Sequence, residues 1–157
     1  MVKSARGTIR QLFFALILGM VVSGCTTISI PSYVGTKNPY KKKFYANFDE
    51  AVASVTKSLE ELGWKVEAQV DPSVYESDKT LDPDQKHTLI FSDTRQTRFF
   101  VGSRYARLNI YMSSAQDSTE IEIRYMTVTS IPFKTFYNYK NDKTVERIFK
   151  HLQEKLS

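Results

Sequence analysis

Few residues of this chain combine the side-chain types and spacing that catalysis requires. The 157 residues include two histidines, His87 and His151, and neither has a serine or an acid at a diagnostic spacing. The sequence contains no cluster of histidines and cysteines with the spacing of zinc ligands. We therefore interpret both histidines as surface or partly packed residues, and we expect no enzymatic activity, no cofactor and no metal site.

One acidic stretch superficially suggests a calcium site. Asp78, Asp82 and Asp84 lie within residues 71–86, where two Asp-Pro pairs and scattered charge predict a long loop. The stretch lacks the glycine turn and the distal glutamate of an EF-hand loop. A solvated acidic loop is therefore the favoured interpretation.

The only cysteine, Cys25, ends a segment typical of secretion signals. Three basic residues precede an apolar run over residues 12–22, which is too short to span a bilayer as a mature helix. The order Val22-Ser23-Gly24-Cys25 resembles the lipobox of bacterial lipoproteins. The resemblance implies that a lipid is attached to the Cys25 thiol and that the signal is cleaved between Gly24 and Cys25. The alternatives are an ordinary signal peptide with a cysteine near its cleavage site and an uncleaved anchor.

The residue after this cysteine bears on localisation. In the lipoprotein family an aspartate at that position favours retention at the inner membrane, so Thr26 resembles the class sorted to the outer membrane. The resemblance implies a lipid anchor in the inner leaflet of the outer membrane, with the protein facing the periplasm. Such an attachment anchors the chain and does not span the bilayer.

The mature chain would run from Cys25 to Ser157 and comprise 133 residues, enough for one domain over residues 44–157. The signal carries three basic residues and no acid, so its removal lowers the formal net charge from +5 to +2. The basic character of the full chain therefore belongs mostly to the signal. It gives no support for nucleic acid as a partner.

Residues 25–43 contain two prolines and a glycine and show neither helical nor strand periodicity. We predict that they form a lipidated tether. Lys41, Lys42 and Lys43 close this segment. They fit either contact with anionic lipid head groups or a solvated charge run before the first helix.

Two helical patterns enclose a β-rich region. Asn47 and Glu50 fit a capping box ahead of an apolar stripe that Gly63 ends, and Asn141 or Asp142 caps a closing helix. Between the helices, alternating residues predict about four strands, two of which form a hairpin turning at residues 116–118.

These elements predict an α+β fold. We expect a two-layer sandwich in which an N-terminal and a C-terminal helix pack on one face of an antiparallel, four-stranded sheet. The element order over residues 44–157 resembles the helix-grip domains of accessory lipoproteins in outer-membrane barrel assembly. The resemblance includes no motif, so no functional residue follows from it.

The sheet face away from the helices would carry the residues Tyr105, Arg107, Asn109, Tyr111, Glu120, Glu122 and Arg124. Tyrosine and arginine often anchor interfaces, so we predict partner contacts at Tyr105, Arg107, Tyr111 and Arg124. The alternative is a solvated face that cross-strand pairs stabilise.

Two further segments combine aromatic residues with basic ones. Arg95 and Arg98, which we also predict to contact a partner, belong to residues 95–104. This stretch fits either an anion-binding segment or a loop with buried phenylalanines. Residues 133–139 contain four aromatic side chains, which fit loop packing or a docking patch.

Together these patterns predict a non-catalytic envelope lipoprotein that binds a protein partner as a scaffold or assembly accessory. The alternative is a carrier or sensor of a lipid or a cell-wall fragment. A carrier should contain a sizeable apolar cavity, whereas a scaffold should be solidly packed.

Overall fold

The computed structural model describes residues 28–77 and 81–157 of the chain. Strands dominate, and helices occur near each end. The elements in chain order are β1 (Tyr40–Phe44), α1 (Phe48–Glu61), β2 (Val66–Val70), a 3-10 turn (Pro72–Val74), β3 (His87–Ser92), β4 (Arg95–Phe99), β5 (Gly102–Ala115), β6 (Ser118–Ile131), β7 (Lys134–Asn138) and α2 (Asp142–Lys155).

All seven strands belong to one antiparallel sheet built around the long hairpin of β5 and β6. Five strands follow the order β1-β6-β5-β3-β2. The remaining two extend the hairpin at its other end, where β4 pairs with β5 and β7 pairs with β6. We call the part formed by β4, β7 and their partner residues in β5 and β6 the Gly102 end of the sheet.

The predicted four-stranded sandwich is wrong, because the structure is mostly β with a seven-stranded sheet. The prediction missed β1, β4 and β7. Both β4 and β7 are exposed at all five positions, so neither shows the alternation of a half-buried strand. In β1 a lysine run hides the pattern. The helix-grip resemblance rested on an element order that begins with a helix, whereas the observed order begins with a strand.

The predicted helix ends are confirmed. The Asn47 side chain accepts a hydrogen bond from the Glu50 N–H at 2.8 Å, which caps α1. Gly63 follows α1 with a φ of 75°, a conformation that favours glycine. Asn141 caps α2 by accepting from the Thr144 N–H at 3.1 Å.

Both helices pack on one face of the sheet and form the main core. Alternate residues of β5 and β6 point to this face, as a pleated strand requires. The fully buried members are Ala51, Val55 and Leu59 of α1, Val145, Ile148 and Leu152 of α2, Ile90 of β3, and Leu108, Ile110, Met112, Ile121 and Ile123 of the hairpin. Burial of this apolar surface accounts for the attachment of the helices.

The opposite face is covered by irregular chain. Ile28, Ile30 and the buried Val34 pack against Met126 and Val128 of β6. The segment that follows β2 covers a second cluster around Leu89, Phe91 and Tyr111. A sheet with both faces covered explains why the strands β5 and β6 are buried over most of their central residues.

The range predicted as a tether therefore has a different structure where it is described. Residues 28–39 lie along the sheet, and Tyr40–Phe44 form the edge strand β1, paired with β6 from Tyr40↔Ile123 to Phe44↔Thr119. Apolar residues before the lysine run explain this difference, since they have a sheet face to cover. Cys25, Thr26 and the lipobox lie outside the described residues.

Gly102 provides a test of how closely β5 and β6 approach each other at the Gly102 end of the sheet. A methyl group on Gly102 would clash with the backbone oxygen of Ser130 in β6. Gly102→Ala should therefore lower the free energy of unfolding by about 1–3 kcal/mol, because the two strands must separate to admit the methyl group. Denaturant titration of the folded protein measures this change.

Gly35→Ala is the matched control, because a methyl group there would meet no atom within 4 Å. It should change the free energy of unfolding by less than about 0.5 kcal/mol. Equal effects of the two substitutions would contradict the close approach of β5 and β6.

Candidate functional site

A cluster of charged side chains lies buried on the sheet face opposite the helices. Arg124 of β6 is fully buried, and Glu122 and Glu76 are 2% and 4% exposed. The Arg124 guanidinium donates from Nε to Glu122 at 2.6 Å and from Nη1 to Glu76. We call Arg124, Glu76, Glu122 and Tyr33 the Arg124 cluster. It joins the middle of the sheet to the chain that follows β2.

Tyrosine rings enclose the guanidinium. The rings of Tyr33 and Tyr111 have their centroids 5.7 Å and 5.4 Å from the central guanidinium carbon of Arg124. Tyr33 also donates to Glu76 at 2.7 Å and stacks on Tyr75 at 5.3 Å between centroids. The cation is thus desolvated by aromatic faces that still favour a positive charge.

The electrostatics of the cluster favour its charged form. Burial alone would lower the pKa of Arg124, but hydrogen bonds to Glu76 and Glu122 outweigh burial and raise it. Burial, with the hydrogen bond to Glu76, raises the pKa of Tyr33 to about 12. Lys41 adds a second cation, 3.1 Å from the other oxygen of Glu122, and this contact raises the pKa of Lys41.

This cluster occupies the face on which we expected partner contacts. Arg107, Tyr111 and Arg124 are all buried there. Arg107 forms an ion pair with Glu67 at 3.1 Å and donates a hydrogen bond to Thr94 at 2.9 Å. The structure therefore presents no open face at these three residues, and irregular chain covers Tyr111 and Arg124.

Three other predicted contact residues remain accessible. Tyr105 is half-buried and accepts a hydrogen bond from Gln96 at 3.0 Å, whereas Arg95 and Arg98 on β4 are exposed. The Arg95 guanidinium lies 4.8 Å from the centre of the Trp64 ring. Accessible candidates are thus confined to the Gly102 end of the sheet.

The same end carries most of the large apolar side chains that the described residues expose. Phe100, in the turn between β4 and β5, and Phe133, in the turn between β6 and β7, are fully exposed. Val101, Phe136 and Tyr137 are exposed beside them. Residues 95–104 and 133–138 therefore form exposed strands and turns. The phenylalanines of residues 95–104 are exposed, so this segment is not a loop with buried phenylalanines.

Two concavities of the described region bear on the alternative of a ligand carrier. Beside the N-terminus of α2, a groove of about 180 Å³ is lined by Trp64, Arg95, Thr97, Arg104, Ala106, Tyr125 and Thr144. A depression of about 310 Å³ near Gly63 is largely open to solvent. Small-molecule sites are commonly enclosed clefts of about 300–1,000 Å³ lined mainly by apolar residues. The groove offers two arginines in place of the apolar cavity expected of a lipid carrier.

Both histidines make contacts that hold the fold together. The Nδ1 atom of His87 is hydrogen-bonded to the Tyr111 hydroxyl at 2.9 Å, and its Nε2 lies 3.2 Å from the Asp82 backbone oxygen. His151 contacts Glu61 at 2.6 Å, which links α2 to α1. Within residues 28–77 and 81–157, no group of His, Cys, Asp or Glu could hold a metal ion. Asp78 lies outside the described residues.

The three lysines of β1 lie away from the Gly102 end. Lys41 contacts Glu122 and Glu120 at 3.1 Å and 3.6 Å, and Lys42 donates to Gln153 of α2 at 2.8 Å. These contacts agree better with a charge run on an edge strand than with lipid contact. Lys43 lies over the Tyr45 ring, 5.5 Å from its centre.

The sequence analysis missed Tyr33 and Glu76, the two residues that close the Arg124 cluster. Both lie in segments predicted to be irregular, and they come 91 and 48 residues before Arg124. One available signal was the Glu122-x-Arg124 pair on a single face of a strand, because two opposite charges there need partners if that face is covered.

A scan against models of known protein families finds no match, and a search of curated proteins finds no significant similarity. None of the helices in the described residues is long and apolar enough to cross a membrane.

Arg124→Met tests whether the buried cluster holds the fold together. The substitution leaves Glu76 and Glu122 buried without their shared cation, so the free energy of unfolding should fall by about 3–5 kcal/mol. Arg98→Met, on the exposed strand β4, is the control and should change it by less than about 0.5 kcal/mol. Equal stability of the two variants in denaturant titrations would refute this role.

The raised pKa of Tyr33 predicts a dependence of stability on alkaline pH. The unfolded chain ionises this tyrosine near its usual pKa of 10.0, whereas the folded protein does so at about 12. The stabilising contribution is therefore complete below pH 10 and is lost as the pH rises through 12. Tyr33→Phe should reduce the decline of the free energy of unfolding over this range, measured by denaturant titration at each pH.

Tyr45→Phe serves as the control, since Tyr45 is 83% exposed. This variant should keep the wild-type decline between pH 10 and 12. If Tyr33→Phe declines as steeply as Tyr45→Phe does, the hydroxyl of Tyr33 is not held by the cluster.

Proposed function

We propose that this protein is a non-catalytic, lipid-anchored accessory protein of the bacterial envelope. It faces the periplasm and binds an envelope protein partner by adding a strand of that partner to β7. The observation that carries this proposal is the state of β7, an edge strand that is exposed at every position and displays two aromatic side chains.

The other edges of the sheet carry features that discourage strand addition. Three consecutive lysines occupy β1, and β2 has a register shift between Val66 and Ala68. Two arginines occupy β4. Charged residues and bulges are the usual means by which edge strands avoid pairing with other chains. In β7 the only charged residue is Lys134, at its first position.

The geometry of β7 suits a peptide strand. Its inner edge pairs with β6 from Ile131↔Lys134 to Thr127↔Asn138, which leaves its outer edge without a strand partner among the described residues. Phe136 and Tyr137 point to opposite faces of the sheet, because successive side chains of a strand alternate. An added strand would gain backbone hydrogen bonds along β7 and contact one aromatic ring on each face.

Attachment to the membrane is the second part of the proposal, and the lipobox-like sequence ending at Cys25 supports it. Thr26 supports the outer membrane as the destination. A lipid on Cys25 would hold the domain near a membrane, where its partner would be concentrated by restriction to the same surface.

The double substitution Phe136→Lys with Tyr137→Lys tests the partner site. It places lysines in β7, and lysines in an edge strand discourage pairing with another chain, as the lysine run of β1 does. Both side chains are substantially exposed, so the melting temperature should stay close to wild type. Purification in mild detergent, followed by mass spectrometry, should recover a protein in fixed ratio with the wild type. The double variant should lose that companion.

Tyr45→Lys with Val74→Lys is the matched control, since both residues are exposed and lie away from β7. This control should retain the companion protein. A companion that remains bound to the β7 variant would contradict strand addition. A wild-type protein that carries a lipid or glycan and no companion protein would support the carrier alternative instead.

A further inference from the structure

The two turns at the Gly102 end expose side chains that a folded protein usually buries. Phe100 and Phe133 are fully exposed, and Val101 is 54% exposed. Phe133 also has a φ of 66°, a left-handed conformation that is unfavourable for a bulky residue. Such backbone strain tends to occur where a side chain must be held in a particular position for function.

Basic residues surround these turns, and no carboxylate is nearby in the sequence. Residues 94–116 and 125–141 contain six basic residues and no aspartate or glutamate. Two of the six, Arg107 and Lys140, form ion pairs with Glu67 and Asp142. The other four, Arg95, Arg98, Arg104 and Lys134, make no ion pair with any described residue. The Gly102 end therefore combines exposed apolar tips with uncompensated positive charge.

The N-terminal segment packs beside the same end of the sheet where its described part begins. Val34 donates its N–H to Asn109 near the middle of β5, and β1 then continues toward the far turn at Ser118. Ile28 and Ile30 pack with Met126 and Val128, and Val128 belongs to the Gly102 end through its pairing with Tyr137. Cys25 lies three residues before Ile28, so it can be at most about 11 Å from Ile28 along the chain.

We propose that the turns bearing Phe100 and Phe133 form a membrane-docking surface that inserts into the head-group region of an anionic bilayer. Aromatic side chains favour this interfacial region, and arginine and lysine nearby attract anionic head groups. Together with a lipid on Cys25, the turns give the domain a fixed orientation, with the opposite turn between β5 and β6, which precedes Ser118, directed away from the membrane. The proposal rests on lipid attachment but does not require a protein partner.

Fluorescent labels at the two ends of the sheet test this orientation. Val101→Cys places a thiol in the first turn, and Asp117→Cys places one in the opposite turn between β5 and β6. Each lipidated full chain is labelled with an environment-sensitive dye and reconstituted into phosphatidylcholine vesicles with or without phosphatidylglycerol. The Val101→Cys label should shift its emission to shorter wavelengths and be quenched by nitroxide lipids, most strongly with phosphatidylglycerol. The Asp117→Cys label should show neither effect.

Two further variants separate the contributions of the apolar tips and the charges. Adding Phe100→Ser and Phe133→Ser to Val101→Cys should abolish the emission shift without lowering the melting temperature, because both rings are fully exposed. Adding Arg98→Gln and Lys134→Gln should remove the preference for phosphatidylglycerol. Identical emission from the labels at positions 101 and 117 in anionic vesicles would overturn the proposal.

The parent chain without an introduced cysteine distinguishes failure of the anchor from failure of docking. It should take no label if the Cys25 thiol carries a lipid. If Cys25 is labelled, the lipid anchor is refuted, and flotation of that unlipidated chain with anionic vesicles then tests docking alone. Loss of flotation on Phe100→Ser with Phe133→Ser would support docking, and no flotation of the parent would refute it. Neither result depends on a partner at β7.

Discussion

The guanidinium of Arg124, fully buried in the middle of the sheet, sets the constraint on which this structure depends. A buried cation is tolerated only when carboxylates and hydrogen-bond acceptors surround it. Glu122 on the same strand supplies one carboxylate, and the chain after β2 must supply the second through Glu76. Tyr33 from the N-terminal segment completes the cluster. Electrostatics thus requires two irregular segments to cover a sheet face that would otherwise meet water.

Because irregular chain covers that sheet face, a binding partner can reach only the other surfaces of the protein. Arg107 and Tyr111 become structural, and most of the large apolar side chains that remain exposed in the described residues lie on β4, β7 and the two turns at the Gly102 end. The segment held by Tyr33 and Val34 also packs Ile28 and Ile30 against Met126 and Val128 of β6. The proposed docking turns and partner strand therefore lie at one end of the sheet, while the helices cover the sheet face opposite the Arg124 cluster.

The sequence allowed the elements with strong local patterns to be predicted. Caps at Asn47 and Asn141 and the alternation of β5 and β6 were recognisable, because each is governed by near neighbours. The short strands β4 and β7 were not, since exposure on both faces removes the alternation on which such predictions depend. The buried face was misjudged for a different reason. Its covering depends on contacts between Arg124, Glu76 and Tyr33 that are distant in sequence and have no local signature.

Amide hydrogen exchange at Val34 in the wild-type protein tests the closed face most directly. Its N–H is bonded to the buried side chain of Asn109, and the residue is 1% exposed. We predict that the Val34 amide exchanges as slowly as the amides of Ile110 and Ile123 in the central strands, because its hydrogen bond breaks only when the N-terminal segment leaves the sheet face. Exchange as fast as that of Asp117, in the exposed turn, would show that the N-terminal segment does not cover the sheet.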